Sequence, residues 1–480
     1  MAYYFLSIGG SGAKVMESLL HLTVAGILPE RTENLKVFSI DPDTGNGNLD
    51  RMSNSLRNFE EFQKLQVGND TPLFKNKISI VKPYPWNPTR HDTTLDDMMA
   101  YPMYRGKSLG ALYEVLFTKK ERATKLNQGF RGHPSIGAAV LAQNYVLMKE
   151  NKDGNQWNNL FNNIEQDSNG NVKIFIAGSV FGGTGAAGLP TISRLLNNQF
   201  ENKGIKFSMG GAFILPYFDF QPEGAHDELF ARSEEFLINT KAALQYYSQR
   251  KKIFNSMYLI GDTSTARMKK FSIGAREQVN DSHIVDLYGA LAAIDFFNSA
   301  DDYQGTSYKY ICHGDERNIL FDWADFPNIY DGKQDFRYLF VKFVRFILAY
   351  VHLVKPVLNK LISGELSDYK YPWFIDNLQG VEIDPKVIKN FDDYVESFVT
   401  WLKQLESLDG RTINLINPNM FSSNAARVNN VDAFRKCDNG STDLGFNEIW
   451  KRLCEPPVKN YPDATGFGRF LRRLYDACDT

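Results

Sequence analysis

Cysteine is scarce in this chain and unpaired in its spacing. Cys312, Cys437, Cys454 and Cys478 stand with no Cys-x-x-Cys pattern, which points away from a disulfide framework or a zinc site and fits a reducing compartment. Net charge is nearly absent as well: 54 Lys and Arg against 56 Asp and Glu leave −2, too little positive charge for a large nucleic-acid footprint. The short basic clusters at 250–252 (RKK) and 268–270 (MKK) read as solvated helix ends or loops. Long apolar runs are missing too. FVKFVRFILAYVHLV, from Phe340 to Val354, is the most apolar helix, and Lys342, Arg345 and His352 interrupt it before it reaches bilayer length. No charged leader with an apolar core and cleavage site opens the chain, so the expectation is a cytoplasmic protein without a membrane span. What is there is 480 residues, 43% hydrophobic and 23% charged, enough for two or three domains with buried cores.

The N-terminal half alternates apolar runs with helical patterns. Tyr3–Ile8 reads as a strand that runs into Gly9-Gly10-Ser11-Gly12 and then a helix carrying Val15, Met16, Leu19 and Leu20 on one side. Lys36–Ile40 is a second strand, ending in Asp41-Pro42-Asp43. Residues 50–125 read as helices and loops inserted ahead of GFRGHPSIG, which opens another helix. Further strands are expected at Val172–Ala177, Phe207–Leu215 and Met257–Asp262, with helices between them. This order predicts an α/β domain over residues 1–300, a mostly parallel sheet with helices on both faces. Residues 301–480 read as a mainly helical C-terminal domain, with the helical patterns dense from about 333.

Three glycine-rich loops lie between an element end and a helix start. Glycines there let backbone approach a ligand, and the helix that follows presents unpaired N–H groups and a positive dipole end, which suits phosphate. SIGGSGAKV alone is compatible with a tight turn, a dinucleotide fingerprint or a phosphate loop. The strongest of the three is Gly178–Gly188, GSVFGGTGAAG, which offers consecutive N–H donors and a threonine hydroxyl but lacks the Lys-[Ser/Thr] ending of a Walker A loop. Charge compensation would therefore come from backbone dipoles and a metal.

SVFGGTGAAG after a strand resembles the glycine signature of the tubulin/FtsZ superfamily. Other segments resemble that family's loops in the order it requires: IGGSGAKV, SIDPD, GFRGHPSIG, LPYFDFQPEG and the start of NDSHIVDLYGALAAIDFF. The resemblance covers roughly residues 3–300 and implies a tubulin-like GTP/GDP site with Mg²⁺. Carried over by position, Gly9, Gly10, Ser11 and Gly12, with Gly182, Gly183, Thr184 and Gly185, would hold the phosphates. Asp41 and Asp43 would lie near Mg²⁺, Asp43 as the metal-side carboxylate, through water. Gly132, His133 and Pro134 would close over the terminal phosphate, Glu223 would bind ribose, and Asn280 or Asp281 would face the base. Lys14 would lie on the helix beyond the phosphates.

In that family the acidic loop that positions the attacking water comes from the next subunit. The nearest match here is NILFDWAD, with Asp322 and Asp325 as the implied catalytic pair and Leu320 where the family has asparagine. The resemblance thus implies head-to-tail self-association with hydrolysis slow in isolation. A helical region in place of the family's second sheet domain departs from the pattern, and supports the alternative of a hydrolysis-deficient nucleotide-binding scaffold that docks a partner protein through its C-terminal region. A Rossmann dehydrogenase, with Asp41 or Asp43 as the ribose acid, accounts for IGGSGA but has no use for SVFGGTGAAG.

Overall fold

The computed structural model describes residues 1–29, 31–43, 45–89, 93–130, 132–149, 156–167, 171–219, 233–249, 253–262, 266–267, 279–299, 307–310, 320–321, 336–406, 412–413, 415, 421, 444–456 and 461–479. Two compact units are formed. The first comprises Met1–Leu19, Asn34–Ser53 and Ile78–Cys312, and the second Leu20–Glu33, Asn54–Lys77 and His313–Thr480.

In chain order the elements up to the boundary are β1 (Ala2–Ile8), α1 (Gly9–Val24), β2 (Asn34–Ile40), α2 (Gly47–Phe62), β3 (Lys77–Ile80), α3 (Leu95–Met98), α4 (Ser108–Leu116), α5 (Lys119–Ala123), β4 (Asn127–Phe130), α6 (Pro134–Lys149) and α7 (Gln156–Gln166). They continue with β5 (Val172–Ser179), α8 (Gly183–Lys203), β6 (Phe207–Ile214), β7 (Phe218–Asp219), α9 (Ser233–Gln249), β8 (Ser256–Ile260), β9 (Ala266–Arg267), α10 (Ile284–Asn298) and β10 (Ser307–Tyr310). Seven strands make one sheet in the order β10-β8-β6-β5-β1-β2-β3. Registers such as Phe5 opposite Val37 and Phe175 are parallel. At the outer edge, bonds from Lys77 N to Glu33 O and from Val81 N to Val37 O advance by four residues on both segments, the parallel pattern again. The expected α/β sheet is therefore present.

Both faces of the sheet are covered, which is why its strands read as near-continuous apolar runs. Tyr4, Leu6 and Ile8 of β1 join Ile174 and Ile176 of β5 and Leu189 and Ile192 of α8 in one core. The alternate residues face the other way: the Tyr3 ring meets Phe297 of α10 edge-on at 5.5 Å, and Phe175 meets Phe296 at 5.7 Å. Lys173, buried on that same face, donates to the carbonyl oxygens of Phe296, Phe297 and Ser299 at the end of α10, placing a cation where the helix dipole is negative.

Residues 50–125, expected to hold helices and loops alone, also supply β3. Four residues, Lys-Ile-Ser-Ile, are too few to register as a strand by pattern, and it is the neighbouring edge of β2 that gives them partners. Within the same stretch, α4 is exposed along most of its length: Leu109, Leu112, Val115 and Leu116 all face solvent, and Gly110 is its buried residue.

The second unit contains β11 (Leu320–Phe321) paired with β12 (Thr412–Ile413), α11 (Phe336–Ala349), a π-helical turn at Tyr350–Val354, α12 (Lys355–Ile362), α13 (Pro372–Asn377), α14 (Pro385–Glu406), α15 (Phe446–Cys454) and α16 (Gly466–Ala477). Its core is aromatic, with Phe343, Phe346, Phe391, Phe398, Trp401 and Tyr475 among its members. The segments 20–33 and 54–77 belong to this unit, which a partition at residue 300 does not include. Phe62 packs edge-on against Phe391, and Arg472 of α16 pairs with Asp70 at 2.8 Å. Phe340 to Ala349 is buried here, and among the described residues no helix is long and apolar enough to cross a membrane.

Candidate functional site

A fully parallel sheet places every strand's C-terminal end on one edge, and the ligand crevice of such sheets lies there. β1 and β5 are neighbours, so the helices that leave them start side by side. Gly9 makes the turn from β1 into α1 with φ +68°, a left-handed conformation that side chains resist. A Cβ built on Gly9 would stand 3.1 Å from the Thr184 Cβ in the first turn of α8, so the first and third glycine-rich loops are in contact. Gly185 lies against the end of β5, where a Cβ would come within 2.5 Å of the Ser179 carbonyl oxygen. The second loop joins them: a Cβ on Gly183 would lie 2.9 Å from Gly132 N. Pro134 then opens α6, a position where its missing N–H costs nothing.

Three helix N-termini, α1, α6 and α8, therefore meet at one point, each contributing N–H groups without intrahelical acceptors. Helix α8 begins at Gly183, six residues before the LPTIS pattern marks it, because the glycines themselves are already helical. His133 sits at this mouth with Nδ1 3.5 Å from Glu121 Oε1 of α5, a carboxylate partner that accounts locally for a histidine there.

Lys14 does not reach toward these loops. It is 3% exposed; its Nζ pairs with Asp286 at 2.9 Å and donates to the Tyr217 hydroxyl at 2.9 Å, and that hydroxyl donates to Asp286 Oδ1. Burial, with Asp286 beside it, pushes the Tyr217 hydroxyl well above its usual range, so it stays protonated as a donor. Asp286 Oδ2 also accepts from His283 N, while His283 Nδ1 accepts from Val285 N, a reciprocal cap on α10.

Beyond β2, Asp41 and Asp43 are both buried. The Asp43 N–H donates to Asp41 Oδ1 at 3.0 Å, and Asp43 Oδ1 accepts from Gly45 N. Burial pushes the Asp41 carboxyl up to about 8; the Asp43 N–H opposes this and the Asp43 charge adds to it. No lysine or arginine among the described residues pairs with Asp41. A cation beside the two carboxylates would relieve that unfavourable charge. Among the described residues there is no cluster of three or more His, Cys, Asp or Glu placed to hold a metal ion, so a metal here would draw on this pair together with water and ligand oxygens.

Asn280 and Asp281 immediately precede α10. Asn280 is half-buried and Asp281 exposed. The Asn280 N–H donates to Asn48 Oδ1 at 2.9 Å, and its carbonyl accepts from Arg51 at 3.2 Å, so the base-side segment is tied to α2. Asn48, Arg51 and Glu17 were not legible as site residues: an asparagine in a Gly-Asn-rich loop reads as a turn former, and a charged helix residue as surface. Glu223, Asp322 and Asp325 lie outside the described residues.

The structure thus brings together Gly9, Gly132, Gly183, Thr184 and Gly185, and ties Asn280 to the turn that begins α2. A family model described as tubulin-like matches residues 5–287. No curated protein matches the chain. The matched span runs from β1 through all the glycine segments to the first turn of α10 and takes in more than half of the sequence, so the chain belongs to the tubulin-like family.

Proposed function

We propose that the chain binds GTP with Mg²⁺ at the loops around Gly9–Gly12, Asp41–Asp43, Gly132–Pro134 and Gly182–Gly185, self-associates head to tail, and hydrolyses GTP once a neighbouring subunit's acidic loop completes the site. The observation that supports this most directly is the meeting of three helix N-termini beside which Lys14 is turned away, paired with Asp286. Backbone N–H groups and dipoles at such termini suit a polyphosphate.

Asp41 and Asp43 fit a magnesium ion, which keeps most of its water and uses one or two carboxylates with phosphate oxygens; bound there, it would offset phosphate charge. Glu223 is assigned to ribose and Asn280 or Asp281 to guanine. Asp322 and Asp325 are assigned, on the adjacent copy, to orienting the attacking water.

Phosphate release measured against protein concentration tests the assignment. Activity per subunit that climbs with concentration is the expected result. GTP bound with zero turnover at every concentration would instead favour the docking scaffold, a reading to which Leu320 in the asparagine position lends weight. Failure to bind GTP at all would sink both.

A further inference from the structure

We propose that Asn48 is a further nucleotide-binding residue, whose carboxamide donates to a phosphate oxygen with one end and holds the base-reading segment with the other. The proposal rests on the nucleotide reading above.

Asn48 lies in the first turn of α2 and is 2% exposed. Asn46 fixes that turn, its Oδ1 accepting from Asn48 N at 2.9 Å and Leu49 N at 3.4 Å. The orientation of the Asn48 amide follows from its partner: the Asn280 N–H requires an acceptor, so Oδ1 faces Asn280. Nδ2 is then turned toward the first glycine loop, 3.7 Å from where a Cβ on Gly10 would stand. That Nδ2 donates to nothing among the described residues. An anionic ligand oxygen beside Gly10 would accept from this N–H in a charge-assisted bond.

One turn further on, Arg51 completes the arrangement. Glu17, fully buried on α1, grips its guanidinium through two bonds, Nε to Oε1 at 2.7 Å and Nη2 to Oε2 at 2.8 Å. Nη1 donates to the Asn280 carbonyl and Nη2 to Ser282 Oγ at 3.3 Å. Both backbone polar atoms of Asn280 are therefore held from α2, while its own carboxamide has no partner among the described residues and remains available to a base. A single amide, that of Asn48, joins the phosphate end of the site to the base end.

Asn48→Asp tests this in the full chain. It keeps an acceptor for Asn280 N–H and replaces the donor with a charge that repels phosphate. The expected result is a loss of GTP affinity of at least tenfold, with an equal loss in competition by inorganic tripolyphosphate, and an unchanged circular dichroism spectrum and melting curve. GTP affinity at the wild-type level overturns the proposal. So does a loss for GTP with tripolyphosphate unaffected, because Asn48 would then act only through Asn280. Should N48D fail to fold, Asn48→Ala brings no charge and should lower both affinities at least fivefold; wild-type affinities in N48A overturn the proposal equally. A wild-type chain that binds no GTP contradicts the nucleotide reading itself, whereas binding by wild type and variants alike contradicts this inference alone.

Discussion

Replacing Lys14 by methionine separates two roles for the lysine that follows the first glycine loop in sequence. The structure assigns it to Asp286, with side-chain exposures of 4% and 0%. Removing one member of a buried ion pair costs about 3–5 kcal/mol, because the other charge is left without compensation. Asp286 would still accept from His283 N at 2.8 Å and from the Tyr217 hydroxyl at 3.1 Å, so the lower end, about 3 kcal/mol, is expected for Lys14→Met. The double variant Lys14→Met/Asp286→Asn removes both charges and retains an oxygen for the His283 N–H. It should recover to within about 1 kcal/mol of the wild type, as neutral replacements of buried pairs commonly do. Urea unfolding followed by circular dichroism gives the stabilities, and GTP titration of the double variant gives the affinity, which should stay within threefold of wild type. The reasoning fails if the single substitution costs under about 1 kcal/mol, or if the stable double variant loses GTP more than tenfold, since the lysine would then serve the phosphates.

Two glycines in the first loop should behave oppositely. At Gly12 a Cβ would lie 2.5 Å from the Ala177 carbonyl oxygen, backbone that cannot yield, so Gly12→Ala should cost about 1–3 kcal/mol or more in urea melts. At Gly10 the nearest atoms are the amide ends of Asn46 and Asn48, at 3.4 and 3.7 Å; Gly10→Ala should melt like the wild type but bind GTP at least tenfold more weakly, and the reverse pattern would contradict the loop assignment. In the second unit, burial pushes the Cys478 thiol up to about 12. Iodoacetamide at pH 8 should therefore leave the Cys478 peptide unmodified until the chain is unfolded, as read by mass spectrometry; rapid native labelling would show that the end of α16 is not packed as described.

The sheet was legible because its strands are buried on both faces. Tyr3–Ile8 and Val172–Ala177 each present a mostly apolar run, with Ser7 or Lys173 as its one polar member, that stops at glycine. The glycine segments were legible for a related reason, since nothing but close backbone approach explains Gly182-Gly183 with Gly185. What escaped depends on partners distant in sequence. β3 is a strand only because β2 offers an unpaired edge. The destination of Lys14 is set by Asp286 and Tyr217, and that of Arg51 by Glu17, neither of which any spacing rule connects. The recruitment of 20–33 and 54–77 to the second unit leaves no compositional mark, because Phe62 and Phe74 look like any core-facing aromatics until Phe391 is placed against them.

Helix α4 sets a condition on how assembly has to be measured. Leu109, Leu112, Val115 and Leu116 are each more than half exposed, and Arg105, Lys107, Lys119 and Lys120 flank them in sequence. Adhesion through such a surface needs no nucleotide and grows with concentration. Light scattering from the unaltered chain would add this background to whatever GTP drives. Substituting Leu112 and Val115 by glutamate touches no core, and in that background the difference between samples with and without GTP would report the nucleotide alone.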